Sequence, residues 1–364
     1  MHVHITGSGI TAWCCATLLR RSGCSIGMDA TASPQPPVIL LDAVTAILLA
    51  YVAGDTTLLQ AAPRVDSRTV NWGEHSEKIQ LNRPACIFYP EVFLADAMAR
   101  LEPLPEPPAS GTDWTIFTAP QPSRRQKSFG TRKARFADVE LKHRVEQGTC
   151  QVESVEGGWM FLIDGGDDRG TLLSVGGDPQ SLLRSSRHIG PRIADVCPRA
   201  SEMDAYPRIA TDLFGKNWMA CGSAAMTLDP ICGDGLGHAI RQAILATAVL
   251  REISKGGDAS GLLRHYADRL ESAFHRHLEL CRESYSIYPR EPWWETERKF
   301  LRQDLRLGQR SAGKKWRYRL RDLDLVPLDL EGDDQADQSL PAKNLQSMRT
   351  EPVRGQPTGQ SVVR

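Results

Sequence analysis

The sequence has 364 residues, of which 41% are hydrophobic and 24% are charged, and its 44 basic side chains balance 44 acidic ones. A chain of this length and composition can bury a sizeable core in one large domain or in two closely packed ones. The zero net charge excludes a general attraction to polyanions, so neither nucleic acid nor a membrane is an expected partner.

The first thirty residues predict a βαβ unit. Residues 1–5 are typical of a buried strand, 10–21 of a helix and 24–28 of a second strand. No basic start and apolar core of a signal peptide precede them. The nine cysteines are scattered without a C-x-x-C pair, which indicates free thiols in a reducing compartment. We therefore expect a soluble, cytoplasmic protein.

The next hundred residues mix helix and strand patterns. The apolar run 38–52 predicts a mostly buried helix, too short and too interrupted by Asp42 to span a bilayer. A strand is predicted at 65–72, a helix at 93–101 and a strand at 113–118. Two basic runs follow, and they predict a solvated connection between domains, with a phosphate or acidic-partner contact as the alternative. These runs are Arg124 to Lys127 and Arg132 to Arg135.

The middle of the chain favours β structure. Short alternating segments are separated by glycine-rich turns, a pattern that predicts an antiparallel sheet inserted into the nucleotide-binding fold. Its strands are expected at 139–141, 149–155, 158–163 and 171–175. A last strand is predicted at 218–221, followed by helices at 235–253, 262–285 and 293–307. The polar composition after residue 327 predicts a disordered tail.

A glycine fingerprint lies between the first strand and the first helix. It consists of Gly7, Ser8, Gly9, Ile10, Thr11 and Ala12 in the pattern G-x-G-x-x-A. Gly7 permits the tight turn, Gly9 lets backbone approach a pyrophosphate, and Ala12 keeps the helix close to the sheet. The N–H groups at the helix start then face the diphosphate. Asp29, just after the second strand, is the candidate partner of a ribose, although an ordinary surface aspartate is the alternative.

A second glycine-rich stretch precedes the helix predicted at 235–253. Its bare backbone meets a helix N-terminus, whose dipole can stabilise the negative charge of a reduced flavin. A structural turn with Asp234 as a helix cap is the alternative. The candidate cofactor residues are Gly222, Ser223, Asp229, Gly233, Asp234, Gly235, Leu236 and Gly237, with Pro230 beside Asp229.

This stretch resembles the second FAD motif, G-D-A-A-x(n)-D-P-x-x-G-x-G, of the para-hydroxybenzoate-hydroxylase-like flavoproteins. That superfamily includes aromatic monooxygenases, geranylgeranyl reductases and flavin-dependent tryptophan halogenases. The resemblance implies that Asp229 and Pro230 lie beside the isoalloxazine ring and that 233–237 contact it through backbone. Ser223 stands where the family has the aspartate that binds the ribityl chain, so its hydrogen bonds lack charge assistance.

Two further segments resemble halogenase-like members. The run from Val70 to Gly73 looks like their V-x-W-G strand, and the run from Gly158 to Ile163 looks like a degraded G-W-x-W-x-I-P. Phe161 replaces the second Trp, Asp164 replaces the Pro, and the context of Lys78 does not fit the halogenase lysine. The chain also resembles the halogenase-like flavoproteins that mature tryptophylquinone cofactors, and this resemblance implies oxygenation of a Trp side chain in a partner protein.

Few side chains are obvious catalysts. Asp229, Pro230 and His238 are the candidates, with Asp229 orienting its loop and His238 touching substrate or flavin, unless it is only a helix-surface histidine. No metal site is expected, because His277 and Cys281 share a helix face from which His275 points away. Trp72, Trp159 and the pair Trp293–Trp294 are expected to pack in the core.

These readings combine into an α/β fold: a Rossmann-like FAD-binding domain with an inserted antiparallel β-sheet substrate domain and C-terminal helices. The FAD domain is predicted at 1–62, 86–125 and 216–255, the substrate-side sheet at 63–85 and 126–215, the helical region at 256–326 and the tail at 327–364.

The predicted function is FAD-dependent hydroxylation of an electron-rich aromatic substrate. The substrate would be a small molecule or a Trp side chain in a partner protein, and NAD(P)H would be a transient reductant. Two alternatives stay open, a flavin reductase or dehydrogenase of a C=C bond and a degenerate flavoprotein acting as a binding module.

Overall fold

A computed structural model describes residues 1–29, 35–73, 78–101, 111–142, 148–166, 168–288, 290–302, 317–321 and 323–328, without the side chains of 200 and 201. Contacts divide the chain into a unit Met1–Val326 and a unit Pro327–Arg364. The tail predicted at 327–364 lies, apart from its first two residues, outside the described residues.

The helices of the described part are seven α-helices. They are α1 (Ile10–Arg21), α2 (Ala43–Ala53), α3 (Pro90–Ala99), α4 (Pro179–Ser185), α5 (Gly235–Ser254), α6 (Ala259–Ser284) and α7 (Pro292–Arg302). Short 3-10 turns lie at Gly190–Arg192, Gly222–Ala224 and Pro230–Cys232.

The strands fall into five sheets. They are β1 (His2–Thr6), β2 (Ser25–Asp29), β3 (Ile39–Asp42), β4 (Arg64–Val65), β5 (Ser67–Asn71), β6 (Ile79–Leu81), β7 (Ala85–Phe88), β8 (Trp114–Phe117), β9 (Gln126–Ser128), β10 (Lys133–Leu141), β11 (Thr149–Val155), β12 (Gly158–Gly166), β13 (Arg169–Gly176), β14 (Ile193–Asp204), β15 (Arg208–Ala210), β16 (Phe214–Gly215), β17 (Trp218–Ala220), β18 (Met226–Thr227), β19 (Tyr318–Arg321) and β20 (Asp324–Pro327).

The nucleotide-binding part is a five-stranded sheet in the order β16-β17-β8-β1-β2. β1 runs parallel to β2 and β8, and β17 runs parallel to β8. Val3 and Ile5 on β1 are fully buried, as the central strand of a covered parallel sheet requires. α1 packs against α5, so two helix starts far apart in sequence lie in one layer.

The inserted sheet has seven strands in the order β14-β10-β13-β12-β11-β5-β6. Its neighbours are antiparallel except β11 and β5, which run parallel. Most of its strands lie in sequence between β8 and β17 of the nucleotide-binding sheet. Met160, Leu162 and Leu172 lie in its core. The predicted fold class is therefore confirmed. Three small sheets complete the fold, β3-β7-β4, β18-β15-β9 and β19-β20.

The apolar run 38–52 is not a single helix as predicted. Ile39–Asp42 is a strand paired with β7, and α2 begins only after Asp42, whose carboxylate accepts the Thr45 N–H at 2.8 Å. An aspartate at this position stops the strand by capping the helix that follows. Hydrophobicity alone does not distinguish a buried strand from a buried helix. The signal that marks the boundary is the capping aspartate, Asp42.

The second basic run is not a solvated connection as predicted. Arg132, just before β10, is 2% exposed, while Lys133 and Arg135 of β10 form ion pairs with Asp204 and Glu202 of β14. In the first run, the Arg124 guanidinium stacks 3.5 Å from the Trp218 ring centroid. Both runs thus hold sheets together, because their partners come from strands that are distant in sequence.

The buried ring of His265 on α6 makes the stability of the protein depend on pH. It is 5% exposed, and burial, helped by Arg269, lowers the pKa of His265 to about 4. The folded state therefore resists the proton that the unfolded chain takes up below about pH 6.5. We expect the free energy of unfolding to fall as the pH drops from 6.5 towards 4, with a flatter slope in His265→Gln. Urea titrations across this range measure it, and identical slopes would contradict the prediction.

No helix among the residues described above is long and apolar enough to cross a membrane.

Candidate functional site

The first fingerprint forms the turn between β1 and α1. Gly7 has φ +122°, and a Cβ there would lie 2.2 Å from Thr118 Oγ1, so only glycine fits. Gly9 is the N-cap of α1 and offers no side-chain cap, and the first turn of α1 carries no acidic residue. No side chain caps this helix start, and the Gln35 amide lies beside it, 2.7 Å from where a Cβ of Gly9 would stand. A phosphate is the group that suits backbone N–H groups in this position.

The second motif meets the first one directly. Gly222 has φ +59°, and a Cβ there would lie 2.5 Å from Thr11 Oγ1. Ser223 Oγ donates to the Thr118 carbonyl oxygen at 3.0 Å, on the strand end that also faces Gly7. The two glycine-rich motifs therefore converge around Thr11 and Thr118, although more than 200 residues separate them in sequence.

The start of α5 is also open. A Cβ built on Gly233 or Gly235 would meet no atom within 4 Å. Asp234 occupies the N-cap position, but its side chain makes no cap hydrogen bond. It instead accepts from Arg241 Nη1 at 3.1 Å and from Thr45 Oγ1 at 3.4 Å. The cap role that the sequence offered as an alternative for Asp234 is therefore wrong.

Three other helices show what α1 and α5 lack, whereas α3 also has no side-chain cap but begins with Pro90 and carries Glu91 in its first turn. Aspartate side chains cap α2, α4 and α6 by accepting a backbone N–H of the first turn; they are Asp42, Asp178 and Asp258. A side-chain carboxylate at a helix start occupies the position that an anionic ligand would take. The uncapped starts of α1 and α5, both lined by glycine, suit the two ends of one dinucleotide.

Asp229 is buried just before the loop that leads to α5, with 1% of its surface exposed. Its Oδ2 accepts from Arg132 Nε at 2.7 Å and from the Tyr285 hydroxyl at 3.0 Å. Its Oδ1 accepts the Ile231 N–H at 2.9 Å, and its own N–H donates to His277 Nε2 at 2.8 Å. With both carboxylate oxygens engaged, Asp229 holds the loop in place.

Arg132 links this loop to the C-terminal helices. Its side chain, fully buried, bonds to Asp229 and also to the Glu297 carboxylate on α7, which accepts from Thr131 as well. The guanidinium lies 4.4 Å from the Tyr285 ring centroid. Burial by itself would lower the pKa of Arg132, but Tyr285, Asp229 and Glu297 raise it overall, so the cation persists at every relevant pH.

An aromatic cluster supports this network. The rings of Trp72 and Trp294 lie 5.8 Å apart, and those of Trp72 and Trp159 lie 6.1 Å apart. Trp159 Nε1 donates to the Tyr285 hydroxyl at 3.1 Å, and Trp294 Nε1 donates to the Val155 carbonyl at 2.9 Å. Trp72 and Trp159, which lie in the segments that resemble halogenase motifs, thus pack with the core, as expected. Trp159 also holds Tyr285, the hydrogen-bond partner of Asp229, in place.

The remaining predicted residues vary in position. Asp29 ends β2, but its carboxylate accepts from His4 Nε2 at 2.8 Å. Ile10 and Ala12 are buried in the core beneath the fingerprint, whereas Ser8, Pro230 and Leu236 are partly exposed. His238 lies half-buried with Nε2 3.5 Å from Asp234 Oδ2. Burial and the cation of Arg241 lower the pKa of His238, so its ring is neutral at physiological pH.

Three potential metal ligands lie together beneath the loop. Cys232, His277 and Cys281 place their ligand atoms within 4.8 Å of one another. His275 turns away, as predicted, and pairs with Glu279 at 3.1 Å. The sequence pattern missed Cys232, because only the fold of the loop brings it to α6.

Sequence reasoning also missed the residues that hold the motifs together. They are Thr118, Arg132, Gln242, His277, Tyr285 and Glu297. The basic run at 132–135 was the available signal for Arg132, but it indicated only charge. The partners lie 97 and 165 residues away, beyond any local pattern.

Comparisons with known proteins show which solved structures share this fold. No family model and no curated protein matches the sequence. Among solved structures, the myxobacterial chondrochloren halogenase CndH, a variant of FAD-dependent halogenases, matches with a TM-score of 0.68 and 12% identity, over 81% of this chain and 85% of that one.

Two other structures match over most of their length. The peptidyl tryptophan dihydroxylase QhpG, essential for tryptophylquinone cofactor biogenesis, matches with a TM-score of 0.62 and 18% identity, over 90% of this chain and 86% of that one. A variant of HpxO from Klebsiella pneumoniae, complexed with FAD, matches with a TM-score of 0.58 and 13% identity, over 82% and 94%. The resemblance inferred from the two motifs is thereby confirmed at the level of the fold, and the chain has the fold of the halogenase-like and monooxygenase-like FAD flavoproteins.

Proposed function

We propose that this protein is an FAD-dependent monooxygenase that hydroxylates an electron-rich aromatic substrate. The observation that carries the proposal is the contact of the turn at Gly222 and Ser223 with Thr11 and Thr118, beside the uncapped, glycine-lined start of α1, in a fold shared with FAD-dependent enzymes. The start of α5 is likewise open and without a side-chain cap. Bound FAD would supply the two-electron chemistry that activates O₂.

The residues present fit this cofactor. The start of α1 would bind the diphosphate through backbone N–H groups, and Ser223 would hydrogen-bond the ribityl chain. The loop 233–237 would lie along the isoalloxazine, where the open space around Gly233 and Gly235 lets a flat ring approach backbone. The start of α5 would stabilise negative charge on the reduced ring. Asp29, held by His4, would offer a carboxylate oxygen to the ribose.

The protein's own side chains hold the loop in position and keep water out of the site. Arg132, Tyr285 and Asp229 hold the loop, and the aromatic cluster behind them keeps water from that side of the site. His238, neutral at physiological pH, can accept or donate one hydrogen bond to a substrate at the helix start. NAD(P)H would act as a transient reductant, directly or through a separate reductase.

A Trp side chain in a partner protein is the substrate class we favour over a free aromatic molecule. QhpG acts on a peptidyl tryptophan, and this chain matches it over 90% of its length. α2, which touches the loop through Thr45, presents Val44, Ile47 and Tyr51 on one exposed face, and Ile47 is 68% exposed. An apolar face beside the site is a surface on which a protein substrate can dock.

The test begins with purified protein titrated with FAD and followed by its visible spectrum. We expect a bound flavin, NAD(P)H-dependent O₂ consumption, and a product that gains oxygen when a Trp-containing partner peptide is supplied. A product that gains hydrogen would identify a C=C reductase instead. Protein that stays colourless with FAD yet retains a partner would identify a binding module.

Ser223 offers a graded test of the cofactor site. Ser223→Asp would give the ribityl hydroxyls a charged acceptor, roughly twice as strong as a neutral one, but the Thr118 carbonyl would lose its donor at a cost of about 1 kcal/mol. We expect FAD to bind about three- to tenfold more tightly, a gain of up to about 1.4 kcal/mol. Ser223→Ala is the matched control and should bind more weakly than the natural protein. Flavin fluorescence titrations decide, and equal affinities in all three proteins would contradict the assignment.

A further inference from the structure

The loop between Asp229 and α5 carries a thiol that faces another thiol on α6. Cys232 ends the turn Pro230–Cys232, and Cys281 lies in the last turns of α6. Both are free, and their sulfur atoms lie within 4.8 Å of each other. A disulfide bond needs a sulfur separation of about 2 Å, so the two side chains must move closer before the bond can form.

The third group of this cluster is already engaged. His277 Nε2 accepts the Asp229 N–H at 2.8 Å, and the Cys281 sulfur lies 3.3 Å from the same nitrogen. A metal ion would need that lone pair and would have to displace the backbone N–H that anchors the loop. The geometry therefore favours chemistry between the two sulfurs over metal binding.

We propose that Cys232 and Cys281 are an oxidisable pair that forms a disulfide when hydrogen peroxide reaches the loop. The source of the peroxide rests on the proposed function, because a reduced flavin that meets O₂ without a substrate releases hydrogen peroxide. The bond would join the loop of the second flavin motif covalently to α6.

The steps balance as a two-electron oxidation. Peroxide first oxidises the Cys232 thiol to a sulfenic acid and is itself reduced to water. The Cys281 sulfur then displaces the hydroxyl of the sulfenic acid, which leaves as a second water with the Cys281 proton, and the S–S bond forms. Two thiols and one peroxide thus give one disulfide and two waters.

Access sets the order of these steps. Cys232 is partly exposed, whereas Cys281 is fully buried and burial raises the pKa of its thiol. Cys232 therefore meets peroxide first, and Cys281 resolves the intermediate.

A second pair of neighbouring cysteines serves as an internal control for the Cys232–Cys281 pair. Cys15 and Cys221 place their sulfur atoms 4.0 Å apart, but both are fully buried. Proximity alone would oxidise this pair as readily as the other. If exposure of one partner is required, peroxide will leave the Cys15–Cys221 pair as thiols.

The experiment treats the full chain with a small excess of hydrogen peroxide, blocks remaining thiols and maps peptides without reduction. We expect a Cys232–Cys281 cross-linked peptide in most chains, lost on treatment with dithiothreitol, and no Cys15–Cys221 peptide. Cys232→Ser should abolish the cross-link, and Cys197→Ser, which removes an exposed thiol elsewhere, should retain it.

Several results would overturn the proposal. Cys232 and Cys281 could both stay thiols while Cys197 is oxidised, or Cys232 could proceed to sulfinic acid beside an intact Cys281 thiol. Because peroxide is added from outside, the result does not depend on FAD. A chain that fails to bind FAD yet forms the cross-link would refute the proposed function and leave the thiol pair standing.

Discussion

Replacing Arg132 by methionine is expected to lower the free energy of unfolding by about 3–5 kcal/mol, because breaking a buried ion pair leaves uncompensated charge in the interior. The carboxylates of Asp229 and Glu297 are 0% and 2% exposed in their side chains, and both rely on this guanidinium. Methionine keeps the aliphatic part of the side chain and removes the guanidinium, so the loss reflects the charge and its hydrogen bonds more than apolar packing. Urea unfolding at constant pH gives the value.

Arg199→Met is the matched control. Arg199 forms a two-pronged bond to Asp138, but the two side chains are 42% and 51% exposed. Exposed pairs of this kind contribute about 0–1 kcal/mol. Adding Asp229→Asn and Glu297→Gln to Arg132→Met should recover part of the lost stability by removing the orphaned charges. Equal stability of Arg132→Met and Arg199→Met would show that the buried network does not hold the loop.

Replacing Gly235 by valine is expected to weaken FAD binding by about 100-fold, or about 2.8 kcal/mol, while the protein without cofactor keeps its stability within about 1 kcal/mol. No atom lies within 4 Å of a Cβ built at this residue, and its backbone needs no positive φ. The free chain can therefore accept the side chain, but a flavin lying along this backbone cannot. Fluorescence titration with FAD and urea unfolding of the cofactor-free protein separate the two effects.

Ala259→Val serves as the control for Gly235→Val. It places the same side chain at the first residue of α6, a helix start that Asp258 caps and that carries no glycine motif. Its affinity for FAD should equal that of the natural protein. If Gly235→Val also binds FAD normally, the loop before α5 does not line the flavin and the proposed site is wrong.

The glycine motifs were readable in the sequence because each is a local device. Gly7 and Gly9 sit between a short apolar strand and an apolar helix, and the positive φ of Gly7 is a property of that turn. The same holds for the open backbone before α5. Such features depend on neighbouring residues, and periodicity and glycine spacing report them.

Elements without a distinguishing period were harder to predict. The run 38–52 is apolar apart from Asp42 and Thr45, so the boundary between β3 and α2 depended on one capping carboxylate, Asp42. The buried role of Arg132 left no local signal at all, since the same R-K-A-R pattern contains two partly exposed ion-pairing residues, Lys133 and Arg135.

The sequence by itself determined the α/β class, the two glycine-rich motifs and the helix starts they precede, because these follow from spacing along a single segment. Only the tertiary structure decided which charges are buried, which thiols meet and how Thr118 joins both motifs. A buried charge is stable only beside a partner, and the partners of Arg132 lie 97 and 165 residues further along the chain. Folding must bring Arg132 and these partners together before the ion pairs can stabilise the protein.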